Sequence, residues 1–233
     1  IAHQWFGNSV TEYDWDDVRL SEGFATYFTL LFIEHEYGRD AFVDGLKSSQ
    51  KRVDSFHEKN PNYTVIHNNL KNMKDVTSSQ TYQKGSWILH MLRGILGTDL
   101  FWKGIRAYYL KYKDLNASTE DFKNVMEEVS GINLTTFFNQ WLYNPGILKL
   151  KGQWYYDKSE TEIVLEIKQV QAGGILIEMP IEIAIDSKNN RKIEKIKLSE
   201  AFRKYRIKVN EEPSNVSLDP NLWVLMNSSF RKK

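Results

Sequence analysis

The reading of the fold starts from Trp15-Asp16-Asp17-Val18-Arg19-Leu20-Ser21-Glu22-Gly23-Phe24-Ala25-Thr26-Tyr27-Phe28. Over residues 15–37, Val18, Leu20, Phe24, Tyr27, Phe28, Leu31 and Phe32 recur at helical spacings, which predicts an amphipathic helix. Gly38 stands where a glycine ends such a helix. Further along, Phe42, Val43, Leu46, Val53 and Phe56 mark a second stripe over 40–56. The polar stretch 58–72, with Pro61 and several Asn, reads as loop. Helices are predicted over 78–97, 98–113, 122–129 and 134–143. Ser118 followed by Asp121 is an N-capping arrangement, because a Ser oxygen accepts a free amide of the first turn. Gly131 stops the helix that follows, and Asn144-Pro145-Gly146 closes the last one. Asp16 and Asp17 are read as capping carboxylates at a helix start.

After Pro145 the period changes to two. Ile163, Leu165 and Ile167 alternate with Val164, Glu166 and Lys168, and Ile181, Ile183 and Ile185 with Glu182, Ala184 and Asp186. Residues 154–156 and 193–198 look similar, and 222–226 is read as the last strand. Turn signals at Asp157-Lys158, Gly173-Gly174, Asn189-Asn190 and Pro213-Ser214 suggest an antiparallel sandwich. The expected class is therefore α+β, with a helical domain over 1–145 and a β-sandwich over 146–233. Residues 188–208 hold nine basic and two acidic residues, read as the solvated face of strands rather than a polyanion site.

The chain has 233 residues, 31 basic against 30 acidic, and no Cys. Zero Cys removes disulfides, thiolate zinc sites and a cysteine nucleophile. A net charge of +1 argues against a nucleic-acid partner. No apolar run is long enough to span a membrane. With 7 Trp, 12 Tyr and 12 Phe, the chain is too aromatic to be disordered. Compartment stays open for a soluble protein; Asn-x-Ser/Thr sites at Asn62, Asn116, Asn133, Asn215 and Asn227 are a hint of a periplasmic or extracellular setting. Oligomeric state is not legible.

A complete His-Glu-x-x-His, which sets two imidazoles one helical turn apart, is missing. His35-Glu36 meets Arg39 at the second position, and His57-Glu58 meets Pro61. Those two, His67 and His90 read as structural or exposed. His3 differs in its surroundings, Ile1-Ala2-His3-Gln4-Trp5-Phe6-Gly7-Asn8. Residues 4–21 separate it from Glu22, which sits in Glu22-Gly23-Phe24-Ala25-Thr26-Tyr27-Phe28. Together these words resemble the M1 (gluzincin) family of zinc aminopeptidases, whose signature is His-Glu-x-x-His, eighteen residues, then Glu. Tyr82-Gln83-Lys84-Gly85 resembles the family's Tyr-x-Lys-Gly element, and Gln140-Trp141-Leu142, Asn144-Pro145-Gly146 and Gln169-Val170-Gln171 look like the start of its sandwich domain.

The resemblance implies a peptidase that removes N-terminal residues from peptide substrates through a zinc-activated water. It makes His3 and Glu22 Zn2+ ligands and Tyr82 the donor to the oxyanion, with Lys84 and Gly85 fixing the helix start at Tyr82. Catalytic zinc wants three protein ligands and an open position for water, and a carboxylate to take the water's proton. The family's first His and its base lie four and three positions before His3, outside these residues, as does its Gly-x-Met-Glu-Asn loop. Ser21 replaces the usual Asn, and Thr29 stands where many members carry a second Glu. Since the chain opens on Ile1 and not Met, the expectation is a fragment of a longer peptidase, inactive and without stoichiometric zinc by itself. The alternative is a non-catalytic peptide- or protein-binding relative.

Overall fold

A computed structural model describes residues 1–67, 76–188 and 190–233. Residues 68–72 of the expected loop and Asn189 of one expected turn lie outside the described residues. Two compact units emerge, Ile1–Gly146 and Ile147–Lys233.

In the first unit the chain enters through a single 3-10 turn, Ala2–Gln4, and a short strand β1, Val10–Glu12. A second 3-10 turn, Trp15–Asp17, then leads into helix α1, Arg19–Tyr37. The predicted helix over 15–37 thus breaks at Val18. Its buried stripe is Leu20, Phe24, Tyr27 and Leu30, spaced three to four apart. Phe32 falls off that stripe and is exposed. Gly38, at φ 86, ends α1 and the chain turns directly into α2, Arg39–Lys59. This helix seats Phe42, Leu46 and Val53 in the core.

A π-helical turn, Gln80–Lys84, runs into α3, Gly85–Leu96. The amide of Lys84 bonds to the Ser79 carbonyl, five residues back. Helix α3 is buried nearly all round, from Trp87 to Leu92. It is followed by α4, Thr98–Tyr112, strand β2, Leu115–Ala117, α5, Thr119–Ser130, and α6, Thr135–Leu142. Strands β1 and β2 pair in parallel, a contact too short and too distant in sequence to leave a periodic signal. The Ser118–Asp121 pair forms a reciprocal capping box, and Gly131 closes α5 in the left-handed region.

The second unit holds two sheets. Strands β3, Leu148–Asp157, β4, Glu162–Gln169, β7, Phe202–Lys208, and β9, Met226–Lys232, form one in the order β7-β4-β3-β9. Strands β5, Met179–Asp186, β6, Arg191–Leu198, and β8, Asn215–Leu218, form the other in the order β6-β5-β8. Ile163, Leu165 and Ile167 of the first sheet and Ile181, Ile183 and Ile185 of the second are buried. The last strand begins at Met226, not 222: Leu222 has φ 58, which no strand accommodates. Strand β9 also pairs β3 in parallel, the one departure from antiparallel order among the described ladders of this unit. The basic stretch is met by carboxylates across the strands. Lys195 faces Glu182, Lys197 Glu178, Lys204 Glu166, and Arg206 Glu162.

Candidate active site

The site is assembled at the start of the first unit. Phe6 is buried and stacks on Phe24 of α1, ring centroids 4.3 Å apart, with Phe28 and Tyr108 completing the cluster. A buried Phe contributes on the order of 2–3 kcal/mol of apolar transfer, enough to hold a single 3-10 turn that has little stability of its own. This clamp brings His3 over the first turn of α1, where Glu22 lies. Gly7, at φ 118, lets the chain reverse against His3 and Ser21.

His3 Nδ1 lies 3.2 Å from the Phe6 carbonyl. A carbonyl only accepts, so Nδ1 carries the ring proton. Nε2 then faces Glu22 Oε2 at 3.2 Å, with the side chains 44% and 23% exposed. An imidazole lone pair and a carboxylate oxygen at that distance repel unless a proton or a cation stands between them. Nitrogen and oxygen of this kind are ordinary zinc donors, and His3 and Glu22 fit as two of them. The set is partial: among the described residues no three or more His, Asp or Glu form a metal-binding group.

Tyr82 comes to the same place from the π-helical turn. Burial, then the negative charge of Glu22 and a hydrogen bond to its carboxylate, push the phenol above its usual range. The hydroxyl therefore keeps its proton as a donor at neutral pH. His3, Glu22 and Tyr82 thus converge from three elements. Two residues on, Lys84 is wholly buried, and its Nζ donates to the Asn144 carbonyl at 3.1 Å. Burial pulls its ammonium down to about 7.

The other candidates lie elsewhere. His90 is buried among Tyr27, Phe42 and Trp87, with Tyr27 Oη 3.1 Å from its Nδ1. His67 meets the Tyr63 hydroxyl at 2.7 Å, and His35 is exposed beside Glu36. His57 lies against Gly146. Ser21 is buried and donates to the Val18 carbonyl, while Thr29 turns outward and donates to Ala25. Asp14, rather than Asp16 or Asp17, caps the Trp15 turn. Asp17 is buried and accepts from the amide and hydroxyl of Thr119, so it caps α5 instead. Thr119 Oγ1 in turn accepts from Arg19. No local signal could announce a cap supplied from 102 residues away. The tight meeting of Gly23 with Gly85 was likewise invisible in one dimension: a Cβ on Gly23 would lie 2.9 Å from the Gly85 carbonyl carbon.

Comparison with known proteins bears on this geometry. The family model described as the peptidase family M1 domain matches residues 1–141. Aminopeptidase M1-C of Oryza sativa subsp. japonica is 32% identical over 200 residues, covering 82% of this chain and 22% of that protein. Aminopeptidase N of Lactococcus lactis subsp. lactis is 35% identical over 193 residues, covering 78% and 22%. Among solved structures, aminopeptidase A of Legionella pneumophila in complex with aspartic acid superposes with a TM-score of 0.78 at 19% identity, covering 97% of this chain and 26% of that one. That likeness speaks to fold. The chain spans about a fifth of the length of the curated relatives it matches.

Proposed function

This chain belongs to the peptidase M1 family, and from that premise we propose that it is part of a zinc-dependent aminopeptidase that hydrolyses N-terminal residues from peptides. In this reading the first unit is the C-terminal part of a gluzincin catalytic domain and the second its β-sandwich. The observation that carries it is the convergence of His3, Glu22 and Tyr82, with His3 Nε2 3.2 Å from Glu22 Oε2 and the Tyr82 phenol raised by burial and then by the negative charge of the same carboxylate.

His3 Nε2 and the Glu22 carboxylate would hold zinc. Zinc bound there supplies Lewis acidity and an activated water. This chain's own work is positional and electrostatic. The Phe6 carbonyl holds the His3 ring in the tautomer that leaves Nε2 free to ligate. The phenol of Tyr82, kept protonated by burial and by Glu22, donates a hydrogen bond to the substrate carbonyl oxygen as that oxygen gains negative charge. The first imidazole and the general base belong to positions before His3.

The test compares the full-length protein with the 233-residue chain on aminoacyl-anilides, with zinc and with a chelator. Chelator-sensitive release by the former and none by the latter is expected. A full-length protein that binds peptides without cleaving them would establish the binding relative instead. Tight one-to-one zinc binding by the short chain in calorimetry would overturn the partial-site reading.

A further inference from the structure

Glycine inside a helix is less favourable than alanine, so each one calls for a reason. Gly23 follows Glu22 within α1, and Gly85 ends the π-helical turn that carries Tyr82. Neither uses glycine's conformational freedom. Gly85 has φ −55 and ψ −46, ordinary right-handed values, and Gly23 is not among the residues of positive φ. What they share is each other. A Cβ on Gly23 would sit 2.9 Å from the Gly85 carbonyl carbon and 3.1 Å from its Cα. A Cβ on Gly85 would sit 3.2 Å from the Gly23 Cα and 3.4 Å from the Arg19 Cβ. The two backbones touch directly.

Helices approach as closely as the side chains at their contact allow. With no side chain at this crossing, the backbone next to Glu22 and the backbone three residues after Tyr82 lie against each other. We propose that the Gly23–Gly85 contact is a positioning device that sets the reach between the Glu22 carboxylate and the Tyr82 hydroxyl, and hence the separation of metal ligand and oxyanion donor. The inference rests on the functions proposed above for Glu22 and Tyr82. A methyl group inserted at the crossing moves one backbone away from the other, and a displacement approaching 1 Å at reacting groups costs on the order of a hundredfold in rate. Neither glycine touches substrate in this account.

The experiment has two arms, read on Gly23→Ala, Gly85→Ala and a control, Gly45→Ala. The control also crowds α1, but against the mobile end of Leu30, whose Cδ2 lies 2.5 Å from the added Cβ. In the first arm the 233-residue chain carries tyrosine labelled with carbon-13 at Cζ, and the Tyr82 resonance is assigned by its loss in Tyr82→Phe. It should move toward the position of a phenol without a carboxylate partner in Gly23→Ala, less so in Gly85→Ala, and stay in Gly45→Ala. Gly85→Ala, which asks its neighbours to give by only a few tenths of an ångström, keeps the arm readable if Gly23→Ala does not fold. A Tyr82 resonance unmoved by Gly85→Ala, or moved equally by Gly45→Ala, overturns the proposal. In the second arm the full-length protein should lose kcat by at least about tenfold in either crossing variant, with KM and the control little changed. A kcat loss matched by Gly45→Ala also overturns it. An inactive full-length wild type sinks the function proposed above instead, while the resonance arm still decides the geometry.

Discussion

Lys84→Met offers a sharp test of how the turn beneath Tyr82 is held. Lys84 is fully buried, and burial alone lowers its ammonium from 10.5 to about 7. The unfolded chain therefore binds more protons than the folded one between those two values, and stability must rise with pH across that window. The contribution is fully present above 10.5 and is lost as pH falls to 7. At about 1.4 kcal/mol per pH unit, the full swing is on the order of 5 kcal/mol. Methionine has a similar unbranched shape but no charge and no donor. It strands the Asn144 carbonyl that Lys84 now satisfies, at a cost of about 1–3 kcal/mol at every pH. Wild type should therefore be the more stable protein near pH 10. Near pH 7 the order should reverse, with the variant ahead by a few kcal/mol. The assay is urea unfolding followed by helical circular dichroism at several pH values between 6.5 and 10.5, taken as a difference between the two proteins. Tyr27 and Tyr108, both raised by burial, titrate alike in each and drop out. A difference constant to within about 1 kcal/mol over the range would refute the burial argument.

Three other outcomes follow from the same structure. In the full-length protein, the proposed function expects Tyr82→Phe to lower kcat by about 10²–10³ with a smaller change in KM, as for a donor that acts on developing charge; equal loss through KM alone would make Tyr82 a substrate contact. Asp17→Ala strips the buried cap from Thr119 and should cost about 2–3 kcal/mol in thermal unfolding; a change under about 0.5 kcal/mol would mean α5 finds another cap. In the β-unit, burial raises Asp219 to about 6 against the pull of the Trp223 and Val224 amides. Its contribution is thus fully present below 3.8 and lost as pH rises through 6. Wild type should lose about 3 kcal/mol over that interval relative to Asp219→Asn, and parallel pH profiles of the two melts would exclude it.

Much of the helical unit was legible because its causes are local. Period and stop coincide in α1 at Gly38 and in α5 at Gly131, and the two partners of the Ser118–Asp121 box are only three positions apart. The strands were legible where alternation was strong, as in Ile163–Ile167 and Ile181–Ile185. Strand β7 escaped because its exposed, charged residues alternate with little apolar contrast, and β8 because its four residues, Asn215–Leu218, are too few to establish a period. The last strand was misplaced because Leu222, Val224 and Leu225 look like strand residues, yet Asp219 binds the Trp223 and Val224 amides into a turn.

The sequence by itself determined the class of each half, the spacing of His3 to Glu22, and the words around Glu22 and Tyr82 that mark the family. Those are properties of near neighbours along the chain and of residue identity. Only the tertiary structure decided how the three side chains meet. His3 depends on Phe6 stacking against Phe24, and the turn beneath Tyr82 on Lys84 reaching Asn144, sixty residues away. Its approach to Glu22 brings two glycines into backbone contact. The physical reason is that hydrogen bonds, ring stacking and close packing act over a few ångströms. Which residues come that near is settled by the fold as a whole and leaves no periodic trace in the sequence.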